Sequence, residues 1–165
     1  MNLKTPSSVQ YLQQALAGRS KSEPGKRFYS LYDKVYRNDV LWAAWQRVKA
    51  NGGSCGIDGV TIAQIVKSGE GEFLATISRE LKSKRYNPKA LRRHYILKQN
   101  GKKRPLGIPT LKDRVVQQAV RLVIEPVFEA YFSEASYGFR PGRSCHGAVE
   151  EVKKFLQWGL TTVIE

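Results

Sequence analysis

The dipeptide Asn100-Gly101 constrains the fold of this chain most, because it predicts a tight turn between two strands. Asparagine and glycine both tolerate the positive φ angles of a two-residue type I′ turn. The flanking segments carry β-compatible side chains, and Pro105 favours an edge ribbon over a central strand. We therefore predict a basic β-hairpin in which Lys98 lies opposite Lys103.

Two lysines that face each other directly would destabilise such a ribbon by repulsion. This placement is expected where an anion binds between them. Lysines are also common at the solvated tip of a hairpin, so the hairpin alone leaves both interpretations open.

The positive charge of the chain is concentrated around this hairpin. The formal net charge is +14, and residues 79–121 alone hold 14 Lys and Arg against only Glu80 and Asp113. A segment this unbalanced, with aromatic residues interleaved, is typical of a protein that binds a polyanion. A solvated face of mixed charge is the alternative, but the segment lacks the mixing. We therefore predict a nucleic-acid partner.

Cysteine and histidine are too few to form a disulfide framework or a metal centre, because the sequence has two of each. The adjacent Cys145 and His146 are interpreted as packing residues. A reducing, intracellular compartment fits this usage. The chain has no apolar run of membrane-span length and no secretory signal, so we expect no membrane contact. An organellar transit peptide in the first 22 residues stays open.

Apolar periodicity predicts several helices around the hairpin, which makes the expected fold class α+β. Thr110 and Ser144 are predicted to cap the two helices that follow the hairpin. Pro126 is expected to kink or end the first of these. A strand is expected to begin at Thr161 and to continue beyond Glu165. The predicted helices cover residues 1–18, 28–36, 38–50, 72–84, 110–125 and 144–158.

Two loops carry residues suited to contact with another molecule. Four glycines in residues 52–59 allow a close backbone approach, although a packed linker is the alternative, and the spacing excludes a nucleotide P-loop. Farther on, Arg140 and Arg143 flank a Pro-Gly turn beside two aromatic residues, a composition suited to phosphate contact and base stacking. A salt bridge from Arg140 to a buried carboxylate is the alternative there.

Three segments, in this order, resemble the first motif blocks of group II intron-encoded reverse transcriptases, also called maturases. They read Gly-Gly-Ser-Cys-Gly-Ile-Asp-Gly at 52–59, Arg-Pro-Leu-Gly-Ile-Pro at 104–109 and Tyr-Gly-Phe-Arg-Pro-Gly-Arg-Ser at 137–144. Each block alone is moderately specific, but three in order with a hairpin and a helix between them are highly specific. The resemblance covers roughly residues 38–165.

The resemblance implies an RNA-directed DNA polymerase, a nucleotidyltransferase that acts in intron mobility. Residues 38–159 would be its mostly helical fingers region, residues 1–37 an extension and linker, and residues 160–165 the start of the first palm strand. The family uses two Mg²⁺ ions held by aspartates in later motifs. Asp58 and Asp113 lie in the wrong blocks to replace these aspartates. The chain alone is therefore expected to have no catalytic residue, to bind no metal and to be inactive.

The resemblance also implies roles for individual residues. Arg104, followed by Lys98, would bind the triphosphate of the incoming nucleotide, although a two-residue turn points them to opposite faces of the ribbon. The residues expected to contact nucleic acid are Gly52, Gly53, Gly56, Asp58, Gly59, Arg85, Arg92, Arg93, Lys102, Lys103, Lys112, Arg114, Arg140 and Arg143.

The partners implied for the complete enzyme are intron and template RNA, a DNA primer and a deoxynucleoside triphosphate, and the expected compartment is the bacterial cytoplasm or an organelle. A non-catalytic module that binds intron RNA or associates with itself as a homo-oligomer is the second hypothesis. A ribosome-associated basic protein is the third, and the ordered motif blocks argue against it.

Overall fold

The computed structural model describes residues 5–23, 25 and 27–162, and within them it contains seven helices and one two-stranded sheet. The predicted α+β mixture, mostly helical with one hairpin, is therefore confirmed. The strand predicted from Thr161 falls on residues 161 and 162, which are not in a strand, and on residues that lie outside the described part. The elements are α1 (Ser7–Ser22), α2 (Tyr32–Val35), α3 (Asn38–Asn51), α4 (Ile62–Ser68), α5 (Glu70–Lys82), β1 (Arg92–Leu97), β2 (Lys103–Ile108), α6 (Leu111–Glu129) and α7 (Cys145–Gln157).

Helix α6 is the centre of the hydrophobic core. Its apolar residues cover more than half of its circumference, and Val115, Ala119, Leu122 and Val123 are completely buried. Helices α1 and α3 pack against this apolar surface, since both contact α6 extensively. Burying one such aliphatic side chain stabilises a fold by about 1.5–3 kcal/mol. The prediction that this helix is largely buried is confirmed.

Helix α6 continues through Pro126 to Glu129, so it does not end at the proline. Proline has no backbone N–H, which leaves the carbonyl of Leu122, four residues earlier, without its helical donor. The side-chain amide of Gln13 in α1 donates to this carbonyl at 3.0 Å. Helix α1 thereby satisfies the group that the proline leaves unpaired, and the helix keeps its last turn.

Helices α3 and α5 form the second packed layer. The ring of Trp45 is completely buried and meets the ring of Phe73 edge to face at 5.5 Å between centroids. Lys49 joins the two helices by an ion pair with Glu70 at 2.8 Å. The short helix α4, which lies between them in the chain, was not predicted from the sequence.

Helix α7 lies apart from this core. Ser144 caps it as predicted, since its hydroxyl accepts the Gly147 N–H at 3.1 Å. None of its residues is buried, and Val152, Phe155 and Leu156 on its apolar side are exposed. In the part of the chain that the structure describes, no helix has both the length and the apolar character that a membrane span requires.

Candidate nucleic-acid interface

The hairpin turn contains three residues, and the predicted two-residue turn is wrong. Leu97 pairs with Lys103, and the Lys98 N–H donates to the Lys102 carbonyl at 2.9 Å. Lys98 therefore lies opposite Lys102, not opposite Lys103. The turn closes with a bond from the Gly101 N–H to the Lys98 carbonyl at 2.9 Å.

The three-residue turn is explained by the backbone at Asn100 and Gly101. A type I turn followed by a left-handed bulge residue needs one positive φ angle, whereas a type I′ turn needs two. Gly101 has φ +75°, while Asn100 keeps a negative φ. The Asn100 side chain instead accepts the Lys102 N–H at 3.2 Å. The asparagine thus serves as a side-chain acceptor within the turn.

The observed register places Lys98 and Arg104 on the same face of the ribbon. A shift of one residue moves every side chain of one strand to the other face. Because Arg104 is paired with Ile96, it is the diagonal neighbour of Lys98, at about 7–8 Å for such positions. Lys102 lies on this face as well. The prediction that Lys98 and Arg104 point to opposite faces is therefore corrected, because the two side chains are neighbours on one face.

The cations on this face have no acidic partners in the described part of the chain. Lys98, Lys102 and Arg104 are exposed, and the ion pairs between described residues involve other basic side chains. Arg93 and Lys103 project from the opposite face and are also exposed. Like charges this close repel one another, so a bound anion would lower the energy of the hairpin.

Both ends of the hairpin are tied to Asp113 in the first turn of α6. Tyr86, before β1, donates its hydroxyl to one carboxylate oxygen at 2.6 Å. The other oxygen accepts the Thr110 hydroxyl at 2.6 Å and the Lys89 N–H at 3.3 Å. Asp113 is 3% exposed. Burial, followed by the hydrogen bond to Asp113, raises the pKa of Tyr86, so its hydroxyl remains a donor.

Of this network, only the cap of α6 by Thr110 was predicted from the sequence. Thr110 caps α6 as predicted, since its hydroxyl accepts the Asp113 N–H at 3.2 Å. The Thr-x-x-Asp spacing was the available signal, and it indicates a helix start without indicating that Tyr86 also reaches the carboxylate.

Arg114, next to Asp113, ties the glycine loop to the end of the hairpin. Its guanidinium donates to the carbonyls of Pro109 at 3.2 Å and Gly52 at 3.3 Å, and also to the carbonyl of Ser54. A Cβ on Gly56 would lie 2.6 Å from the Thr110 Cα, so no larger residue fits there. The close approach that the glycine loop permits is therefore to its own chain, at least at Gly56.

The contact with nucleic acid that was predicted for this loop stays a prediction, because the positions of its other glycines do not test it. Gly53 and Gly59 are exposed, whereas Gly52 is half-buried at the end of α3. Asp58 is half-buried, and its carboxylate accepts the Val60 N–H at 3.3 Å.

Arg140 forms the internal salt bridge that was the alternative to phosphate binding. Its Nε donates to Glu129 at 2.9 Å, and its guanidinium also donates to the carbonyls of Ser133 at 2.5 Å and Ser136 at 2.8 Å. The side chain is 5% exposed. Arg140 therefore holds the chain that follows α6 against the end of that helix.

Arg143 is also paired within the same loop. Its guanidinium donates to the carboxylate of Glu134 and lies 5.2 Å from the centre of the Tyr137 ring. The hydrogen bond with Glu134 raises the pKa of Arg143. A phosphate ligand would have to compete with this exposed carboxylate.

The remaining predicted contact residues have different surroundings. Lys112 is half-buried and forms an ion pair with Glu80 at 2.6 Å. Arg85 is exposed just after α5. Arg92 is half-buried, and its Nε is buried without a hydrogen-bond partner among the described residues.

Asp58 and Asp113 do not form a metal site between them. Asp58 and Asp113 belong to two separate hydrogen-bond networks, and each accepts hydrogen bonds from its own chain. Within the described ranges, no three His, Cys, Asp or Glu side chains are grouped so that they could hold a metal ion. These residues therefore do not fit the Mg²⁺ ions that the family resemblance implies.

Three relatives show where similar sequences occur. The chain is 39% identical over 131 residues to the group II intron-encoded protein LtrA of Lactococcus lactis subsp. cremoris, which covers 77% of this chain and 21% of LtrA. It is 39% identical over 149 residues to the protein YkfC of Escherichia coli strain K12, covering 88% of this chain and 38% of YkfC.

The third relative is an uncharacterized 91 kDa protein in the cob intron of Schizosaccharomyces pombe. It is 35% identical over 148 residues, covering 83% of this chain and 17% of the relative. No protein-family model matches the sequence. The chain thus spans well under half the length of the curated relatives that it matches.

Proposed function

This chain belongs to the family of group II intron-encoded proteins, and we propose that it is the fingers region of an RNA-directed DNA polymerase. Its proposed role is to hold the incoming nucleotide and the RNA template against a polymerase site. The observation that carries the proposal is the exposed face of the hairpin, where Lys98, Lys102 and Arg104 lie together without an acidic partner among the residues that the structure describes.

The first part of the proposal is that this face binds the triphosphate of a deoxynucleotide. The planar guanidinium of Arg104 can donate two parallel hydrogen bonds to one phosphate group, which an ammonium group cannot do. Lys98, its diagonal neighbour, would supply a second positive charge to the same phosphate chain. We propose that Mg²⁺ and its catalytic aspartates belong to motifs outside this sequence, so the chain alone binds without extending a primer.

The second part of the proposal concerns RNA and the DNA primer. Arg93 and Lys103 project from the face opposite to Arg104, so they cannot share its triphosphate. Phosphodiester groups of a template or primer are the ligands that suit such exposed cations. Arg85 is exposed and would extend this contact toward the end of α5.

These opposite-face cations also support the second candidate function, a module that binds intron RNA without catalysis. RNA binding alone would use both faces of the hairpin, whereas a polymerase fingers region would divide them between triphosphate and nucleic acid. The two functions therefore differ in what Arg104 contributes.

Arg104→Ala and Lys103→Ala are a matched pair that separates these functions, because they remove neighbouring exposed cations from opposite faces of the hairpin. The affinities for a deoxynucleoside triphosphate and for a short RNA duplex would be measured for both variants at one salt concentration. The proposal predicts that Arg104→Ala weakens triphosphate binding about tenfold, as expected for a lost charge-assisted hydrogen bond. Lys103→Ala should weaken only RNA binding. Unchanged triphosphate affinity and weakened RNA binding in Arg104→Ala would assign Arg104 to RNA contact alone, and equal losses for both ligands would show that Arg104 does not act specifically on the triphosphate.

Primer extension on an RNA template tests the expected lack of catalysis. One preparation of the 165-residue chain would be assayed with Mg²⁺ for primer extension and, in parallel, for RNA binding. Binding without extension supports the proposal. Extension would mean that the chain contains a carboxylate site that the structural argument has not identified.

A further inference from the structure

We infer that Asp113 is a positioning residue that sets the direction of the hairpin relative to the helical core. Through the hairpin it would also set the positions of Lys98 and Arg104. The effect on triphosphate binding rests on the proposed function, whereas the effect on the direction of the hairpin does not.

The hairpin needs such a residue because its strands have little other support. Ten of the twelve strand residues are exposed, and only Arg92 and Ile108, at the base of the ribbon, are half-buried. Among the described elements, each strand makes its main contacts with the other strand. The direction of the ribbon is therefore set mainly where it enters and leaves the core.

The segment that enters the hairpin and the segment that leaves it both contact the carboxylate of Asp113. Tyr86 and the Lys89 N–H come from the segment that enters β1, and Thr110 comes from the segment that leaves β2. All three donors are neutral groups. No described Lys or Arg forms an ion pair with Asp113. Since a buried carboxylate must keep its donors to offset lost hydration, the three groups are held together.

The length of the hairpin amplifies any change at this point. A strand rises by about 3.4 Å per residue, so Arg104 lies about 14 Å and the tip about 24 Å from Ile108. A rotation of about 5° at the base would therefore move Arg104 by about 1 Å and the tip by about 2 Å. Displacements of this size are large compared with the tolerance of a hydrogen bond.

Tyr86→Phe tests the inference, because it deletes the hydroxyl that joins the entering segment to Asp113 and preserves the ring. Tyr32→Phe is the matched control. The Tyr32 hydroxyl donates to the Leu81 carbonyl at 2.8 Å, so the same atom is lost from a bond outside the Asp113 network. Melting temperatures of both variants would show that they remain folded.

The direction of the hairpin would be measured as the distance between two spin labels. One label is placed at the turn by Gln99→Cys and the other on α1 by Gln14→Cys, two exposed positions, in a background with Cys55→Ser and Cys145→Ser. We expect Tyr86→Phe to broaden or shift the distance distribution by about 2 Å or more, the displacement calculated for the tip. Tyr32→Phe should leave it unchanged.

The affinity for a deoxynucleoside triphosphate is the second measurement on the same variants. We expect Tyr86→Phe to weaken it several-fold and Tyr32→Phe to leave it unchanged. An unchanged distance distribution in folded Tyr86→Phe would overturn the inference, and so would equal broadening in both variants. If the parent chain binds no triphosphate, the proposed function fails, and the distance measurement still decides whether Asp113 sets the direction of the hairpin.

Discussion

The hairpin and the loop after α6 are both rich in basic side chains, but they use them differently. On the hairpin, Lys98 and Arg104 are exposed and have no acidic partner among the described residues. In the loop, Arg140 is buried against Glu129 and Arg143 is paired with Glu134. The difference arises from the acidic residues within reach, since a guanidinium beside a carboxylate is already satisfied. A motif of arginines and aromatic residues therefore indicates a ligand most clearly where acidic residues are scarce.

The largest expected effect is a loss of stability in Arg140→Ala, and it tests the comparison between the hairpin and the loop. Arg140→Ala would leave the Glu129 carboxylate and two carbonyls without their donors. Because the Glu129 side chain is 30% exposed, water would compensate part of the loss. We expect the free energy of unfolding to fall by about 2–3 kcal/mol, below the range for a fully buried pair. Urea denaturation at neutral pH measures the change.

Lys154→Ala is the control for this experiment, because Lys154 forms an exposed ion pair with Glu151 at 3.1 Å. This variant should be as stable as the parent chain. If Arg140→Ala were equally stable and instead lost RNA affinity, Arg140 would belong with the hairpin cations and the comparison would fail.

The internal role of Arg140 also shows how far sequence reasoning reaches. Helix α6, its cap at Thr110 and the existence of the hairpin follow from periodicity and turn chemistry, which are local. The Leu122 carbonyl, which Pro126 leaves without a helical donor, accepts a hydrogen bond from Gln13, which is 109 residues away in the chain. No local pattern contains that information. The same applies to Tyr86, which reaches Asp113 from before the hairpin.

The structure differs from the sequence predictions at two other places, and at both of them the local sequence is compatible with more than one structure. Asn100-Gly101 suits a two-residue turn and also a three-residue turn with a glycine bulge, and the choice changes which cations share a face. Thr61 and Gln64 form a capping box that begins the unpredicted helix α4. The Thr-x-x-Gln spacing could have indicated that helix, but the helix that follows is only seven residues long.

A smaller effect is expected when the charge at position 104 is kept and the planar group is lost. Arg104→Lys should weaken triphosphate binding about three- to fivefold, because an ammonium cannot form the parallel pair of hydrogen bonds. Arg93→Lys, on the opposite face, should leave triphosphate affinity unchanged. Isothermal titration of both variants with a deoxynucleoside triphosphate tests the division of the hairpin into two faces. Equal losses would mean that the faces are not distinct.

The salt dependence of RNA binding compares the hairpin and the loop directly. A side chain that contacts a phosphate adds about one unit to the slope of log affinity against log salt concentration. Lys103→Ala should therefore reduce the slope by about one unit. Arg143→Ala should leave it unchanged, since the guanidinium is already paired with Glu134. The same reduction in both variants would show that pairing with Glu134 does not prevent phosphate contact.

The smallest expected effect concerns a paired cation of the core, Lys49, and its partner Glu70. The hydrogen bond from Lys49 lowers the pKa of Glu70 below its ordinary value of 4.5, although burial opposes this. A carboxyl group with a lowered pKa in the folded state stabilises the fold above its unfolded-state pKa, and this stabilisation is lost as the pH falls through the folded-state pKa. The Lys49 side chain is 35% exposed, so solvent screening limits the pair to below about 1 kcal/mol.

Glu70→Gln should therefore be slightly less stable than the parent chain at neutral pH and equally stable in acid, at a pH below the lowered folded-state pKa of Glu70, where the carboxyl group is protonated in both states. Urea denaturation at the two pH values measures this convergence. RNA affinity should be the same for both proteins, because the hairpin cations do not depend on this carboxylate. A difference in stability that persisted in acid would mean that Glu70 acts through packing against α3. In that case the stability of the core would not depend on the charge of Lys49, just as it does not depend on the charges of the hairpin.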